Sequence, residues 1–83
     1  MMVNNDEIEQ RLRSLAQVSW VKVEGDGYHY RLVIVSDIFE GQSAVLRQQW
    51  VYSHLHDYIT QGAMHALTMK TWTNAEWEKQ QHG

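Results

Sequence analysis

From Ser43 to Gln61 the chain carries neither glycine nor proline, and this unbroken stretch separates two strand-like runs from a third. That arrangement constrains the fold more than any other feature. Strands joined by a tight turn run antiparallel, whereas a strand reached through a helical crossover can lie parallel to an earlier one. The two earlier runs are Val18 to Glu24 and Tyr28 to Ser36, with Gly25-Asp26-Gly27 between them. Val21 and Val23 alternate with Lys22 and Glu24, the pattern of a half-buried strand. Glycine tolerates positive φ and Asp-Gly favours hairpins, so the two runs are expected to pair. The third run is Ala63 to Trp72.

Helical signals fill the remainder. Asn4 to Gln17 predict a first helix, with Asn4 as cap, Glu7 at capping-box spacing, and Ile8, Leu12 and Leu15 on one face. Ser36 to Ser43 form a corner, and Ser43 is placed to cap the long stretch. The apolar set there is wide, which leaves open one helix or two short ones with a bend near Tyr52-Ser53, Ser53 capping the second. Gly62 ends it. Thr73-Asn74-Ala75-Glu76 is a second capping box, and Trp72 and Trp77 stand at hydrophobic-staple positions. The expected order is α-β-β-α(-α)-β-α, an α+β fold in one domain over residues 1–83, with a three-stranded sheet and helices on one face.

Composition excludes several chemistries. The chain has no cysteine, so any metal must be met by His, Asp or Glu. The net charge is −3, and the seven Lys and Arg residues are scattered singly, without the basic stripe that nucleic-acid binders show. No run approaches the ~18 apolar residues of a membrane span. Met1 to Glu9 lack the pattern of a signal peptide, so a cytoplasmic location without membrane association is expected. There is no Gly-rich phosphate loop or nucleophile signature, and no enzymatic activity is expected.

Two segments carry a family likeness. Val33 to Val51 read V-I-V-S-D-I-F-E-G-Q-S-A-V-L-R-Q-Q-W-V, and Met64 to Thr71 read M-H-A-L-T-M-K-T. With Gly25 to Tyr30 and Lys70-Thr71-Trp72-Thr73…Trp77, they resemble the BolA family over about Ile8 to Trp77. Asn74 stands where the family often has Pro; both suit a first helical position. The resemblance implies a fold like a type II KH domain. It also implies a partner, a monothiol glutaredoxin, with which a [2Fe–2S] cluster is shared. The glutaredoxin and glutathione supply sulfur ligands, His65 supplies one from this chain, and a hairpin residue, best matched by His29, supplies a second. Imidazole can replace thiolate on such iron, as in Rieske centres. The isolated chain is expected to hold no cofactor. The role implied is an adaptor for iron–sulfur trafficking or for iron and stress sensing.

Other readings compete at each position. From its alternation with Leu67 and Met69 alone, His65 reads as a core or edge histidine. His29 reads as a solvent-edge hairpin residue. His54 and His56, two apart on a helix, point to different faces and are not a metal pair. His82 lies near the end, and Asp37 and Glu40 suit turn and cap chemistry. The four tryptophans read as core or docking residues. The rival function is a DNA-binding transcriptional regulator using a helix-turn-helix-like segment around Tyr52-Ser53. Arg47 is the only full positive charge between Ser43 and Gln61, and no Gly-x-x-Gly clamp is present between the helices, so only weak DNA binding is expected. A homodimer is neither required nor excluded.

Overall fold

The computed structural model describes residues 3–64 and 66–82. Helix α1 (Asn5–Arg13) leads into the hairpin β1 (Val18–Gly25) and β2 (His29–Ser36). A single 3-10 turn, Asp37–Phe39, precedes α2 (Ala44–Thr60), followed by β3 (Ala66–Trp72) and α3 (Asn74–His82). The sheet order is β1-β2-β3, with β1 and β2 antiparallel and β2 and β3 parallel. The helix α2 is the crossover that parallel pairing requires.

Alternation divides the sheet into two faces. Val21, Val23, Tyr30, Leu32 and Ile34 are buried together with Ile8 and Leu12 of α1 and Val51 and Leu55 of α2. The phenol of Tyr30 is buried in this core but not unpaired. Its hydroxyl donates to the carbonyls of Val3 at 2.5 Å and Gly27 at 3.3 Å, which avoids the penalty of an orphaned buried donor. The two helices are also tied to each other. Arg11 pairs with Asp57 and lies over the Tyr58 ring at 3.8 Å, and the Tyr58 hydroxyl donates to Glu7 at 3.0 Å.

Two boundaries differ from the sequence expectation and one open reading is resolved, each for a local reason. The first helix stops at Arg13 rather than Gln17. Ser14 there turns its hydroxyl onto the Arg11 carbonyl at 2.7 Å, a local bond that competes with helix continuation. The stretch after Ser43 is one unbroken helix, not two. Ser53 does not cap a second helix; its hydroxyl donates to the Trp50 carbonyl at 2.6 Å inside the same one. The third strand starts at Ala66 rather than Ala63. The amides of Gly62 and Ala63 bond back to the carbonyls of Ile59 at 3.1 Å and Tyr58 at 2.9 Å. With Gly62 at φ 75°, this is a Schellman end, which uses Ala63 to finish the helix.

The caps follow the sequence signals. The Glu7 amide donates to the Asn4 side chain at 2.7 Å, and that of Leu46 to Ser43 at 3.2 Å. The capping box of α3 closes both ways: the Thr73 amide donates to Glu76 at 2.9 Å, and the Glu76 amide to the Thr73 hydroxyl at 3.1 Å. Asn74 adds two bonds, its amide to Asp37 and its side chain to Ser19, both at 3.0 Å. A proline there could not make the first. Trp77 of α3 stacks on Trp20 of β1 with centroids 4.8 Å apart.

Glu76 joins α3 to α2. Its carboxylate receives Arg47 at 2.7 and 3.2 Å, and Arg47 also donates to the carbonyls of Gln42 and Thr71, each at 3.0 Å. The Arg47 guanidinium, with the Thr73 amide, pulls the Glu76 pKa down to about 2. A depressed carboxylate stabilises the fold above its unfolded pKa and loses that contribution as pH falls through the folded one. The Glu76 side chain is 42% exposed, and solvent screening reduces the contribution to about 1–2 kcal/mol. Glu76→Gln is therefore expected to lower stability by that amount near pH 6. Urea titrations should show the gap from wild type closing as pH falls from about 4.5 to 2. A gap that stayed constant across this range would rule out the ionised pair as its cause.

Candidate functional site

The hairpin tip is built to hold the backbone of His29. The Asp26 carboxylate accepts the amides of both Tyr28 and His29 at 2.9 Å. These two donors, His29 first, hold the Asp26 carboxyl below the usual range, so it stays ionised and keeps the turn closed. The Asp26 amide returns a bond to the His29 carbonyl at 3.3 Å. Gly25 admits this closure because it has no side chain. A Cβ there would run into the His29 carbonyl oxygen and stand 3.0 Å from the Tyr30 Cα.

The third strand joins the same point. The Ala66 amide donates to the Tyr28 carbonyl at 3.3 Å, and Ala66 is the register partner of His29. The imidazole of His29 is exposed and meets the Tyr28 ring edge-on at 4.9 Å. Beside it lies an open cavity of about 690 Å³ lined by Gly25, Asp26, His29, Arg31, Ala66 and Thr68. His65 lies outside the described residues; Met64, which precedes it, is buried, and Ala66 follows it.

The other candidates are placed elsewhere. His54 sets its ring against Trp50 at 4.5 Å, His56 is exposed on α2, and His82 is exposed at the end of α3. Asp37 and Glu40 serve the corner: the Glu40 amide donates to the Asp37 carbonyl at 3.1 Å, and the Asp37 side chain receives Asn74. Arg47 has a side chain only 13% exposed and is committed to Glu76 and two carbonyls. The role of Asp26 escaped the sequence reading, although an acceptor two and three residues ahead of the amides it takes is a legible turn signal.

The donor set limits what this chain can bind. Among the described residues no group of three or more His, Cys, Asp or Glu could hold a metal ion. With no cysteine, the chain has no thiolate to offer a metal. No helix among the described residues is long and apolar enough to cross a membrane.

Three helices with a mixed three-stranded sheet define a small α+β protein. A family model described as BolA-like protein matches residues 4–76. The chain belongs to that family. It is 38% identical to the acid stress protein IbaG of Escherichia coli K12, over 93% of this chain and 92% of that one. It is 31% identical to the DNA-binding transcriptional regulator BolA of the same organism, over 93% and 82%. The structure of a bolA protein homologue from Coxiella burnetii superposes with a TM-score of 0.80 at 37% identity, covering 93% of this chain and 99% of that one.

Proposed function

We propose that this chain is a non-enzymatic adaptor that binds a monothiol glutaredoxin and shares a [2Fe–2S] cluster with it. The observation that carries the reading is His29: an exposed imidazole on a turn locked by Asp26, in register with Ala66, the residue that follows His65 in sequence. His29 and His65 would supply imidazole, and the glutaredoxin and its glutathione would supply sulfur. When bound, the cluster offers transferable iron and sulfide, and imidazole ligation raises its potential. The chain's own contribution is to hold the His29 backbone fixed and leave its ring open to a partner. Ligands supported in this way lose less order on binding. The acid-stress name of the IbaG relative is compatible with a sensing role.

The test is reconstitution. The chain is mixed with a monothiol glutaredoxin, glutathione, iron and sulfide, and the visible spectrum and complex size are recorded. The expected result is a heterodimer whose spectrum differs from that of the glutaredoxin alone. A cluster confined to glutaredoxin homodimers, with this chain eluting free, would overturn the proposal.

DNA binding through the α2 segment, suggested by the name of the regulator BolA, draws no support from Arg47, whose guanidinium is held by Glu76.

A further inference from the structure

The two edges of the sheet differ. On β1 the Val23 amide points away from β2 and donates to the Glu9 carboxylate of α1 at 2.8 Å. The other edge is β3. Its Ala66 amide donates to the Tyr28 carbonyl, just ahead of β2. In a parallel ladder alternate residues turn both backbone groups to the same neighbour. Ala66, Thr68 and Lys70 therefore face β2, while Leu67, Met69 and Thr71 face outward. Arg47 approaches from that outer side and takes the Thr71 carbonyl at 3.0 Å. No hydrogen bond from a described residue reaches the outward amides and carbonyls of Leu67 and Met69. An unpaired row of this kind is a template for a further strand.

The side chains around these groups are of two kinds. Leu67 and Met69 are half-buried against the core and leave apolar surface at the edge. Thr68 and Lys70 are exposed on the opposite side of the sheet. There the register sets Lys70 in one row with Val33 and Lys22, and Thr68 in the next with Arg31 and Glu24. Lys22, Arg31 and Lys70 are exposed, and the ion pairs among the described residues occupy Arg11, Arg13 and Arg47 instead. Glu24 is the only carboxylate in the two rows. Arg31 and Lys70 line one shallow cavity of about 240 Å³ with Thr68 and Met69. A strand added beside β3 would lie about 4.8 Å from the strand of Lys70 and about 10 Å from that of Arg31.

We propose that the outer edge of β3 takes up an extended peptide segment of a partner protein whose residues alternate acidic and apolar. The segment's backbone pairs with Leu67 and Met69, and main-chain bonds of this sort give affinity while the side chains give specificity. Successive side chains of a strand point to opposite faces. One set lies against Leu67 and Met69 and is apolar. The other lies beside Lys70, within reach of Arg31, and is acidic. Charge decides against a second copy of this chain as the occupant. Two β3 strands paired about a twofold axis normal to the sheet would merge both cationic faces into one, and a lysine on an edge strand opposes such pairing. The inference does not depend on the adaptor reading, since neither proposed iron ligand is among the residues it uses.

The experiment titrates the full, nitrogen-15-labelled chain with acetyl-Glu-Val-Glu-Val-Glu-Val-amide at neutral pH, reading amide shifts and hydrogen exchange. At saturation the Leu67 and Met69 amides are expected to exchange at least about tenfold more slowly, with the Val23 amide unchanged. Affinity should fall as salt rises. The double variant Arg31→Gln, Lys70→Gln should bind about three- to tenfold more weakly, while Lys79→Gln, whose cation lies on α3, should bind as wild type. Circular dichroism checks the fold of each variant. The same peptide methylated at every backbone nitrogen keeps its side chains, loses its donors and should not bind. The block peptide acetyl-Glu-Glu-Glu-Val-Val-Val-amide, equal in charge, should bind more weakly. No change at either amide with ~5 mM peptide, which leaves any affinity weaker than about 1 mM, would overturn the proposal. So would undiminished binding of the methylated or the block peptide, or unchanged affinity in the double variant. Protection of the two amides that rose with protein concentration in the absence of peptide would assign the edge to a second copy and overturn it too.

Discussion

Replacing His65 with alanine is expected to shorten the lifetime of the cluster shared with glutaredoxin by at least about tenfold and to change its visible spectrum. Removing an outer-shell partner of a metal ligand already weakens metal affinity by about 10–100-fold, and loss of the ligand itself should do no less. His29→Ala is expected to act in the same direction. Its effect on the fold should be small, because the ring is exposed, while the bonds to Asp26 and the pairing with Ala66 use only the His29 backbone. Alanine keeps all of those. The measurement is anaerobic cluster decay in the heterocomplex, with far-ultraviolet circular dichroism to confirm that each variant is folded. Wild-type spectra and lifetimes in both variants would remove the two histidines from the site.

Gly25→Ala should do more damage to the protein itself. The added methyl meets backbone rather than a yielding side chain, so the hairpin must open to admit it. Overpacking of this kind costs about 2–3 kcal/mol, and in a domain of this size that lowers the melting temperature by roughly 10–20 °C. Gly41→Ala is the control. Gly41 has φ 72°, but a Cβ there has nothing within 4 Å. Only the left-handed strain remains, about 1 kcal/mol. Thermal melts of the two variants should therefore separate clearly. Below its melting temperature the Gly25 variant should also assemble the shared cluster poorly, since the His29 carbonyl is the group displaced. A melting temperature within about 3 °C of wild type would show that the tip is not tightly closed.

Short-range signals were the legible ones. Asn4, Ser43 and the Thr73–Glu76 box each act within three residues and read directly as caps. The parallel placement of β3 followed from the helix between the strands. What needed the structure depended on partners distant in sequence or on competing local bonds. Glu7 sits at capping-box spacing, yet its carboxylate receives Tyr58 from another helix. Ser53 looks like a cap but finds the Trp50 carbonyl and leaves α2 unbroken. Arg47 looks like a free cation until Glu76, 29 residues on, is seen to hold it. Lys22, Arg31 and Lys70 come from three different strands, and only register makes them neighbours. For the candidate site, residue chemistry narrowed the choice to His, Asp and Glu, and the family resemblance picked His29 and His65. The Asp26 lock and the Gly25 contact, which explain why the hairpin holds His29 as it does, emerged from the coordinates.

The central claim is that this chain gives imidazole nitrogen to a cluster it cannot hold alone. The most direct test labels the histidines of this chain with nitrogen-15, assembles the complex with unlabelled glutaredoxin and glutathione, reduces the cluster, and records its pulsed electron paramagnetic resonance. The account predicts a strong nitrogen-15 coupling from directly bound histidine, lost when His29 and His65 are both replaced by alanine. A reduced cluster in the complex that showed no nitrogen-15 coupling from this chain would contradict it.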